Sequence, residues 1–187
     1  GYRVDVNKGI EVSPGACIQT KKEYTLIIEM RLDSVTGRAK RLISSKDWGQ
    51  RGAFVYNSYY AMYPWFRGLK CQEDIKAGFF YKFGLSRTKD KKVSMYLNGW
   101  KCASAHPPYA DAFALDEDSF SILHDQKSDY NTGGWVRRIQ LWKDALSDAD
   151  MLSENKCSLS VMKEQVTDQW EFCANQAEDC TCEGVIR

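Results

Sequence analysis

Residues 23–32, EYTLIIEMRL, decide the fold of this chain. Apolar side chains recur at every second position from Tyr24 to Leu32, and polar residues occupy most of the positions between them. A period of two places alternate side chains on opposite faces of an extended chain. The segment therefore predicts a long β-strand with one face in the core.

The same alternation continues along the chain, interrupted by turns that contain glycine or charged residues. Further strands are predicted at residues 40–46, 53–57, 79–88, 92–99, 119–123 and 135–142. Seven or more short strands, with almost no helical period before residue 145, are typical of an antiparallel β-sandwich. We expect an all-β fold, an antiparallel two-sheet jelly roll.

One or two short helices are predicted to end the chain. Ser147, with Asp150 three residues later, is a variant of the capping box and starts the first helix. Apolar residues at spacings of three and four predict a second helix from Leu159 to Cys173. We expect residues 1–156 to form the sandwich. Residues 157–187 would be a helical, cysteine-rich extension that packs on the sandwich or leads to a next module.

Length and composition fit a globular domain. The 187 residues correspond to about one to one and a half domains. With 43% hydrophobic and 27% charged residues, disordered and collagen-like classes are excluded. No apolar run reaches the roughly 20 residues needed to cross a bilayer, so no membrane insertion of this segment is expected. A start at Gly1 without a leader indicates a piece excised from a larger protein.

Charge is unevenly distributed. Residues 1–110 contain 19 Lys and Arg and 9 Asp and Glu. Residues 111–187 contain 7 Lys and Arg and 16 Asp and Glu. The first part could present a basic surface, or the two parts could neutralise each other across the fold. No basic recognition helix or RNA-binding aromatic motif is present, so nucleic acid is not expected as a partner.

Seven cysteines favour disulfides and an oxidising compartment, and hence a secreted protein or the extracellular face of the cell surface. Cys71 and Cys102 lie at the ends of β segments that flank the central hairpin, which predicts a bond between them. A second bond, Cys157–Cys173, would staple the terminal helices. The spacing of Cys180 and Cys182 is poor for zinc. The pairing of these two and of Cys17 is left open.

Three segments in order resemble the laminin-G-like and concanavalin A-like lectin jelly rolls, with a closing motif similar to that of the pentraxins. They are YTLIIEMRLDSVTGRAKRLISSKDWGQRGAFVYN (24–57), YKFGLSRTKDKKVSMYLNGWKCAS (81–104) and SFSILHDQKSDYNTGGWVRRIQLWKDALSDADM (119–151). The resemblance implies a two-sheet sandwich of about a dozen strands that binds glycans or proteins. Val136 stands where laminin-type modules have a cysteine, and Lys127 where pentraxins have an acidic calcium ligand.

Catalysis is not expected. Some related folds are glycosidases, which need two carboxylates on one strand face at about 5–9.5 Å across the scissile bond. No Glu-x-Asp-x-x-Glu stretch occurs here, and the closest acidic run, residues 116–118, opens a predicted strand and is interpreted as a solvated turn. Neither His106 nor His124 lies in a nucleophile motif. We therefore expect no enzyme.

Calcium is the one candidate cofactor. The loop HDQKSDYN offers four oxygen-bearing side chains, Asp125, Gln126, Asp129 and Asn131, enough for one hard cation. The alternative is an Asp/Asn-rich loop whose side chains cap their own turns.

Two groups of residues are candidates for ligand binding. Aromatic rings offer flat apolar faces with polar handles, suited to sugars and to protein hot spots; most of them could instead fill the core. The aromatic candidates are Trp48, Tyr59, Tyr60, Tyr63, Trp65 and Trp100. The basic candidates lie beside two turns and would suit an anionic glycan if the turns are neighbours. They are Arg38, Lys40, Arg41, Lys89, Lys91 and Lys92.

These observations favour a non-catalytic extracellular recognition or adhesion module that binds a glycan, including anionic ones, or an extracellular protein. The alternative is a structural or assembly domain whose aromatics and C-terminal cysteines mediate contacts within or between subunits, without glycan binding.

Overall fold

Alternation along the predicted strand at residues 23–32 produces the central strand of the molecule. In the computed structural model, Tyr24, Leu26, Ile28 and Met30 are fully buried, while Glu29 between them is partly exposed. The structure describes residues 1–13, 21–37, 39–45, 52–63, 69–107, 113–115, 119–124, 131–153, 169–171 and 183–186.

Thirteen strands and one short helix make up the described part of the chain. The strands are β1 Tyr2–Val4, β2 Ile10–Ser13, β3 Tyr24–Leu32, β4 Lys40–Ser45, β5 Gly52–Tyr56, β6 Tyr59–Tyr63, β7 Phe80–Arg87, β8 Val93–Leu97, β9 Trp100–Ala105, β10 Phe120–Ile122, β11 Gly134–Trp142, β12 Gln169–Glu171 and β13 Glu183–Ile186. The helix is α1, Asp148–Leu152.

The strands form two antiparallel sheets. The six-stranded sheet has the order β1-β11-β3-β7-β8-β9, and the seven-stranded sheet has the order β12-β13-β2-β10-β4-β5-β6. The predicted all-β, antiparallel two-sheet fold is confirmed, and each of the seven predicted strands corresponds to a strand of the structure.

The core lies between the sheets. On β3 and β7, Leu26 pairs with Leu85 and Ile28 with Phe83, and all four side chains are fully buried. Across the core, the Tyr60 ring of β6 meets the Phe83 ring edge-on, with centroids 5.1 Å apart. Burying a side chain of this size contributes about 1.5–3 kcal/mol, so this layer holds the two sheets together.

Helix α1 begins as the capping pattern predicted. The Ser147 hydroxyl accepts a hydrogen bond of 3.2 Å from the Asp150 amide, which satisfies one of the free N–H groups of the first turn. The described helix has five residues, too few to cross a membrane.

The prediction of a second helix through residue 173 is wrong at residues 169–171. These residues form β12, which pairs with β13, and β13 pairs with β2. Hydrogen bonds with a neighbouring strand replace the helical ones, because a sheet edge is available to this segment. The domain boundary after residue 156 stays a prediction.

The predicted disulfide Cys71–Cys102 is present, with the two Cα atoms 5.0 Å apart. Cys71 lies beside β6, at one edge of the seven-stranded sheet, and Cys102 lies in β9, at one edge of the six-stranded sheet. The bond therefore joins the two sheets along one side of the sandwich. Cys17, Cys157, Cys173, Cys180 and Cys182 lie outside the described residues.

Candidate functional site

The β5–β6 hairpin carries three of the six predicted aromatic candidates, Tyr59, Tyr60 and Tyr63, and its turn sets the register of the two strands. Asn57 and Ser58 have φ values of 46° and 65°. Two consecutive residues with positive φ are the hallmark of a two-residue type I′ turn, whose twist matches that of the strands. The turn sets Tyr56 directly opposite Tyr59.

The prediction that Tyr60 binds a ligand is wrong. Its side chain is fully buried, and its hydroxyl donates a hydrogen bond of 3.2 Å to the Gly84 carbonyl. Burial raises the pKa of this phenol well above its usual range. Met62, two residues later, faces the same core, as the alternation of the strand requires.

Tyr59, in contrast, lies at the surface beside a cation. The Lys70 ammonium lies 3.8 Å from the centroid of the Tyr59 ring, within the range of a cation–π interaction. Tyr59 is partly exposed, and Tyr56 opposite it is 39% exposed. We name Tyr56, Tyr59 and Lys70 the hairpin cluster.

The segment that holds Lys70 is fixed to the outer edge of β6. The Met62 amide donates to the Leu69 carbonyl at 3.1 Å, and the Cys71 amide donates to the Tyr60 carbonyl at 2.9 Å. Cys71 is in turn bonded to Cys102. The residues on both sides of Lys70 are therefore hydrogen-bonded to β6, and one of them is also disulfide-bonded. These contacts fix the backbone of Lys70 relative to Tyr59.

Other aromatic candidates are placed as follows. The Tyr63 backbone pairs with Gly52 at the far end of the same hairpin. Trp100 is 64% exposed at the start of β9, on the edge of the other sheet. Trp48 and Trp65 lie outside the described residues. The structure thus brings Tyr59 and Tyr63 onto one hairpin, with Trp100 in the other sheet.

The basic candidates that belong to the described residues do not form one patch. Lys40 starts β4, next to the Tyr56 end of the hairpin, since it pairs with Val55. Lys89, Lys91 and Lys92 lie in or beside the turn after Arg87, which pairs with Tyr24 at the opposite end of β3. Strand β3 has nine residues, roughly 26 Å of chain. The described lysines of the two sets therefore lie at opposite ends of the sandwich.

Two of the basic candidates also have local partners. Arg41 is buried, and its guanidinium carbon lies 4.8 Å from the Phe54 ring centroid, so the prediction that it belongs to an exposed patch is wrong. Lys89 forms an ion pair of 2.8 Å with Glu23, and the hydrogen bond to that carboxylate raises the pKa of Lys89. Arg38 lies outside the described residues.

Of the four predicted calcium ligands, only Asn131 belongs to the described residues. It is buried, and its amide nitrogen donates a hydrogen bond of 2.8 Å to the side-chain oxygen of Asn7. Within the described ranges, no group of three or more His, Cys, Asp or Glu side chains is placed to hold a metal ion. Calcium at Asp125, Gln126, Asp129 and Asn131 stays a prediction.

Lys70 and Tyr56, two members of the hairpin cluster, were not among the candidates predicted from the sequence. For Tyr56 the usable signal was its place at the start of the aromatic-rich stretch YNSYYAMYPWF, residues 56–66. For Lys70 the signal was weaker: its neighbour Cys71 was predicted to be bonded, but nothing in the sequence placed that segment beside β6.

The hairpin cluster can present the face of a ring together with hydrogen-bond donors. A phenol ring has a flat apolar face, and a lysine ammonium carries three donors. This combination suits a ligand that has both an apolar face and hydroxyl or anionic groups.

Comparison with solved structures shows the same architecture. The chain is similar to a heptameric SAP-like pentraxin from Limulus polyphemus, with TM-score 0.54 and 14% identity over 80% of this chain and 82% of that one. It is also similar to the sialidase module CBM40 of Ruminococcus gnavus bound to α2,3-sialyllactose, with TM-score 0.58 and 15% identity over 81% of this chain and 95% of the module. The fold is a jelly-roll sandwich of the concanavalin A-like type.

A third similar structure of this jelly-roll type is part of an enzyme. In the Trypanosoma rangeli sialidase complexed with 2,3-difluorosialic acid, the match has TM-score 0.58 and 15% identity, and it covers 81% of this chain but 26% of the sialidase. Comparisons with protein-family models and with curated protein sequences gave no match. At these identities, the likeness establishes the jelly-roll fold alone.

Proposed function

We propose that this protein is a non-catalytic extracellular module that recognises glycans through the hairpin cluster of Tyr56, Tyr59 and Lys70. The observation that carries the proposal is the Lys70 ammonium 3.8 Å from the Tyr59 ring, next to the exposed Tyr56, on a lectin-like sandwich. The sugar ring would pack on a tyrosine face while the ammonium donates to a hydroxyl or an anionic group.

Preorganisation supports this role. A binding side chain that must be ordered on association costs about 0.5–1.5 kcal/mol. Tyrosine has few rotatable bonds, and the type I′ turn fixes the register of Tyr56 and Tyr59. The backbone of Lys70 is held by the Leu69 and Cys71 hydrogen bonds and by the disulfide. The cluster would therefore lose little conformational freedom when a sugar binds.

Two further observations support binding without catalysis, outside the cell. The likeness extends over 95% of a carbohydrate-binding module, but over only 26% of the sialidase chain. In the sequence, the run closest to a glycosidase carboxylate pair is residues 116–118, which we interpret as a solvated turn. The Cys71–Cys102 bond supports an oxidising environment, because disulfides persist mainly in secreted and surface proteins.

A structural or assembly domain is the second candidate. Phe79 is 62% exposed and Trp100 is 64% exposed. Large exposed aromatic side chains often anchor protein–protein contacts. If these two rings dock onto a partner protein, their substitution would abolish assembly, while the hairpin cluster would have no role.

The test is a glycan array with the purified chain, followed by titration calorimetry of the best glycan. We expect Tyr59→Ala to weaken binding about fivefold or more, equivalent to about 1 kcal/mol, since stacking is lost. Leu152→Ala serves as the control, because it removes another exposed apolar side chain from α1. An array without any positive glycan, or equal binding by both variants, would refute the proposal.

A further inference from the structure

One row of side chains crosses the outer face of the six-stranded sheet, away from the core. Arg3 of β1 is directly opposite Trp135 of β11, Trp135 is opposite Arg31 of β3, and Arg31 is opposite Phe80 of β7. Residues directly opposite each other on neighbouring strands share a face. Arginine and aromatic side chains thus alternate over four strands, roughly 14 Å wide. We name these four residues the arginine–aromatic row.

Arg31 is at the centre of the row, between two rings. Its guanidinium carbon lies 5.6 Å from the Phe80 centroid and 5.7 Å from the Trp135 ring. Rings at this distance hold a guanidinium by cation–π attraction and restrict its motion. Arg31, Phe80 and Trp135 are all partly exposed, so the row is accessible from solvent.

A β-bulge adds a third guanidinium. The register of β11 against β3 shifts between Val136 and Arg138, which leaves Arg137 as the extra residue. Bulges re-aim side chains, and Arg137 reaches across β3 to place its guanidinium carbon 3.6 Å from the centroid of Phe80.

Carboxylates neutralise two of these arginines. Arg3 donates two hydrogen bonds, of 2.8 and 2.7 Å, to Asp33, and Arg137 donates one of 3.3 Å to Glu29. Arg31 has no carboxylate partner among the described residues, and its Nε atom is buried there without a hydrogen bond. The charge at the centre of the row is therefore uncompensated within the described part of the chain.

The neighbouring row adds more positive charge. It consists of Arg138 of β11, Glu29 of β3 and Lys82 of β7, which are directly opposite one another. Among the described residues, the two rows and Arg137 carry five basic side chains. Glu29 lies in the second row and pairs with Arg137, and Asp33 and Asp5 form ion pairs with Arg3. The local balance is positive, which favours an anionic ligand.

We propose that the arginine–aromatic row is a second binding site, for an anionic saccharide whose carboxylate or sulfate group pairs with Arg31. A guanidinium donates two parallel hydrogen bonds to such an oxyanion. Trp135, beside Arg31, offers a ring face on which the sugar packs, whereas the Phe80 ring is covered by the Arg137 guanidinium and helps to position the two arginines. This site lies on a different sheet from the hairpin cluster and does not depend on it.

The experiment compares single variants for binding to a heparin hexasaccharide by titration calorimetry. Arg31→Gln should weaken binding about tenfold or more, and Arg31→Lys should weaken it less, because it keeps the charge but loses the planar fork. Lys143→Gln is the matched control, since it removes the same charge from an exposed position directly after β11, at the end of that strand away from Trp135, and it should change binding less than twofold. Melting curves and circular dichroism check that each variant is folded.

Three results would overturn this proposal. Equal weakening of hexasaccharide binding by Arg31→Gln and Lys143→Gln would show a general attraction to positive charge and no specific role of Arg31. Unchanged binding in a folded Arg31→Lys variant would show that the guanidinium has no specific role. Binding of polyglutamate as tightly as the hexasaccharide would assign the row to an acidic protein instead. Tyr59→Ala should leave hexasaccharide binding at the arginine–aromatic row intact. The proposals for the hairpin cluster and for this row can therefore be refuted independently.

Discussion

The hydroxyl of Tyr96, in β8, donates a hydrogen bond of 2.9 Å to the carboxylate of Asp148, the first residue of α1. The other carboxylate oxygen forms an ion pair with Lys101 of β9. The hydrogen bonds from Lys101 and Tyr96 lower the pKa of Asp148 below its usual 3.8. Burial, together with the hydrogen bond to this carboxylate, raises the pKa of Tyr96 to about 12. Asp148 therefore attaches the helix to the six-stranded sheet.

The first prediction concerns acid. Because its pKa is lower in the folded state, Asp148 stabilises the fold at pH values above the unfolded pKa of about 3.9, and the effect disappears as pH falls through the folded pKa. Asp148→Asn should melt at a lower temperature than the wild type near pH 6, and the difference should disappear as the pH falls through the lowered folded-state pKa of Asp148. Melting curves from pH 2 to 7 measure it.

Tyr96→Phe provides the control for that experiment. It removes one hydrogen bond but keeps the Lys101 ion pair, which is the larger cause of the lowered pKa of Asp148. Its melting temperature should therefore depend on pH nearly as the wild type does. A difference between Asp148→Asn and wild type that is constant from pH 2 to 7 would contradict the assigned contacts.

The second prediction concerns the close approach of β11 and β3. A Cβ atom at Gly134 would lie 2.4 Å from the Arg31 carbonyl oxygen, and a backbone atom cannot move aside cheaply. Gly134→Ala should destabilise the fold by about 1–3 kcal/mol in urea unfolding. At Gly84 the nearest atom is the flexible end of Met151, at 2.7 Å, so Gly84→Ala should cost less. The reverse order would show that the strands separate readily here.

The third prediction concerns the disulfide. Cys71 and Cys102 are 31 residues apart, and closing a loop of this length contributes about 3–4 kcal/mol in the chain-entropy model. The double Cys71→Ser, Cys102→Ser variant should lose about this much stability and should also bind glycans more weakly, because the segment that carries Lys70 loses its covalent anchor. Chemical denaturation under oxidising and reducing conditions measures the first effect. Equal stability of wild type and variant would be inconsistent with a bond that links the sheets.

The fourth prediction concerns the loop at residues 124–131. If Asp125 and Asp129 ligate calcium, the ion at a hundred times its Kd should stabilise the fold by about 2.7 kcal/mol. Asp125→Asn combined with Asp129→Asn should abolish the shift. A melting temperature that is the same in millimolar calcium and in EDTA would exclude the site.

The alternation of apolar and polar residues predicted the strands well, because each strand of a sandwich has one face in the core and one face toward solvent. It identified which residues of β6 share a face, since Tyr60 and Met62 are both in the core. The alternation could not show which face of β6 is buried in the core. Tyr60 was therefore a candidate for ligand binding alongside Tyr59. That choice depends on the position of β7, whose Phe83 meets Tyr60 across the sandwich.

Apart from the Cys71–Cys102 bond, the contacts between distant segments could not be predicted from the sequence. Lys40 and Lys89 both stand beside charged turns, yet they are far apart. Lys40 follows the connection that leaves β3 after Leu32, whereas Lys89 lies in the β7–β8 turn, which the pairing of Arg87 with Tyr24 places at the other end of β3. The arginine–aromatic row escaped notice for the same reason: Arg3, Arg31 and Trp135 come from three separate segments that only the strand order brings together. Residues 169–171 pair as a strand although their spacing favoured a helix, since β13 offers them a partner.

The bond between Cys71 and Cys102 also determines how the chain would respond to mechanical force. Tension applied at the two ends of the protein would pass through the sulfur atoms and bypass β7 and β8, which lie inside the covalent loop. The 31-residue span would stay unextended, shortening the fully stretched chain by roughly 100 Å. Reduction of the bond would release that length, so force spectroscopy with and without a reductant would detect the loop directly.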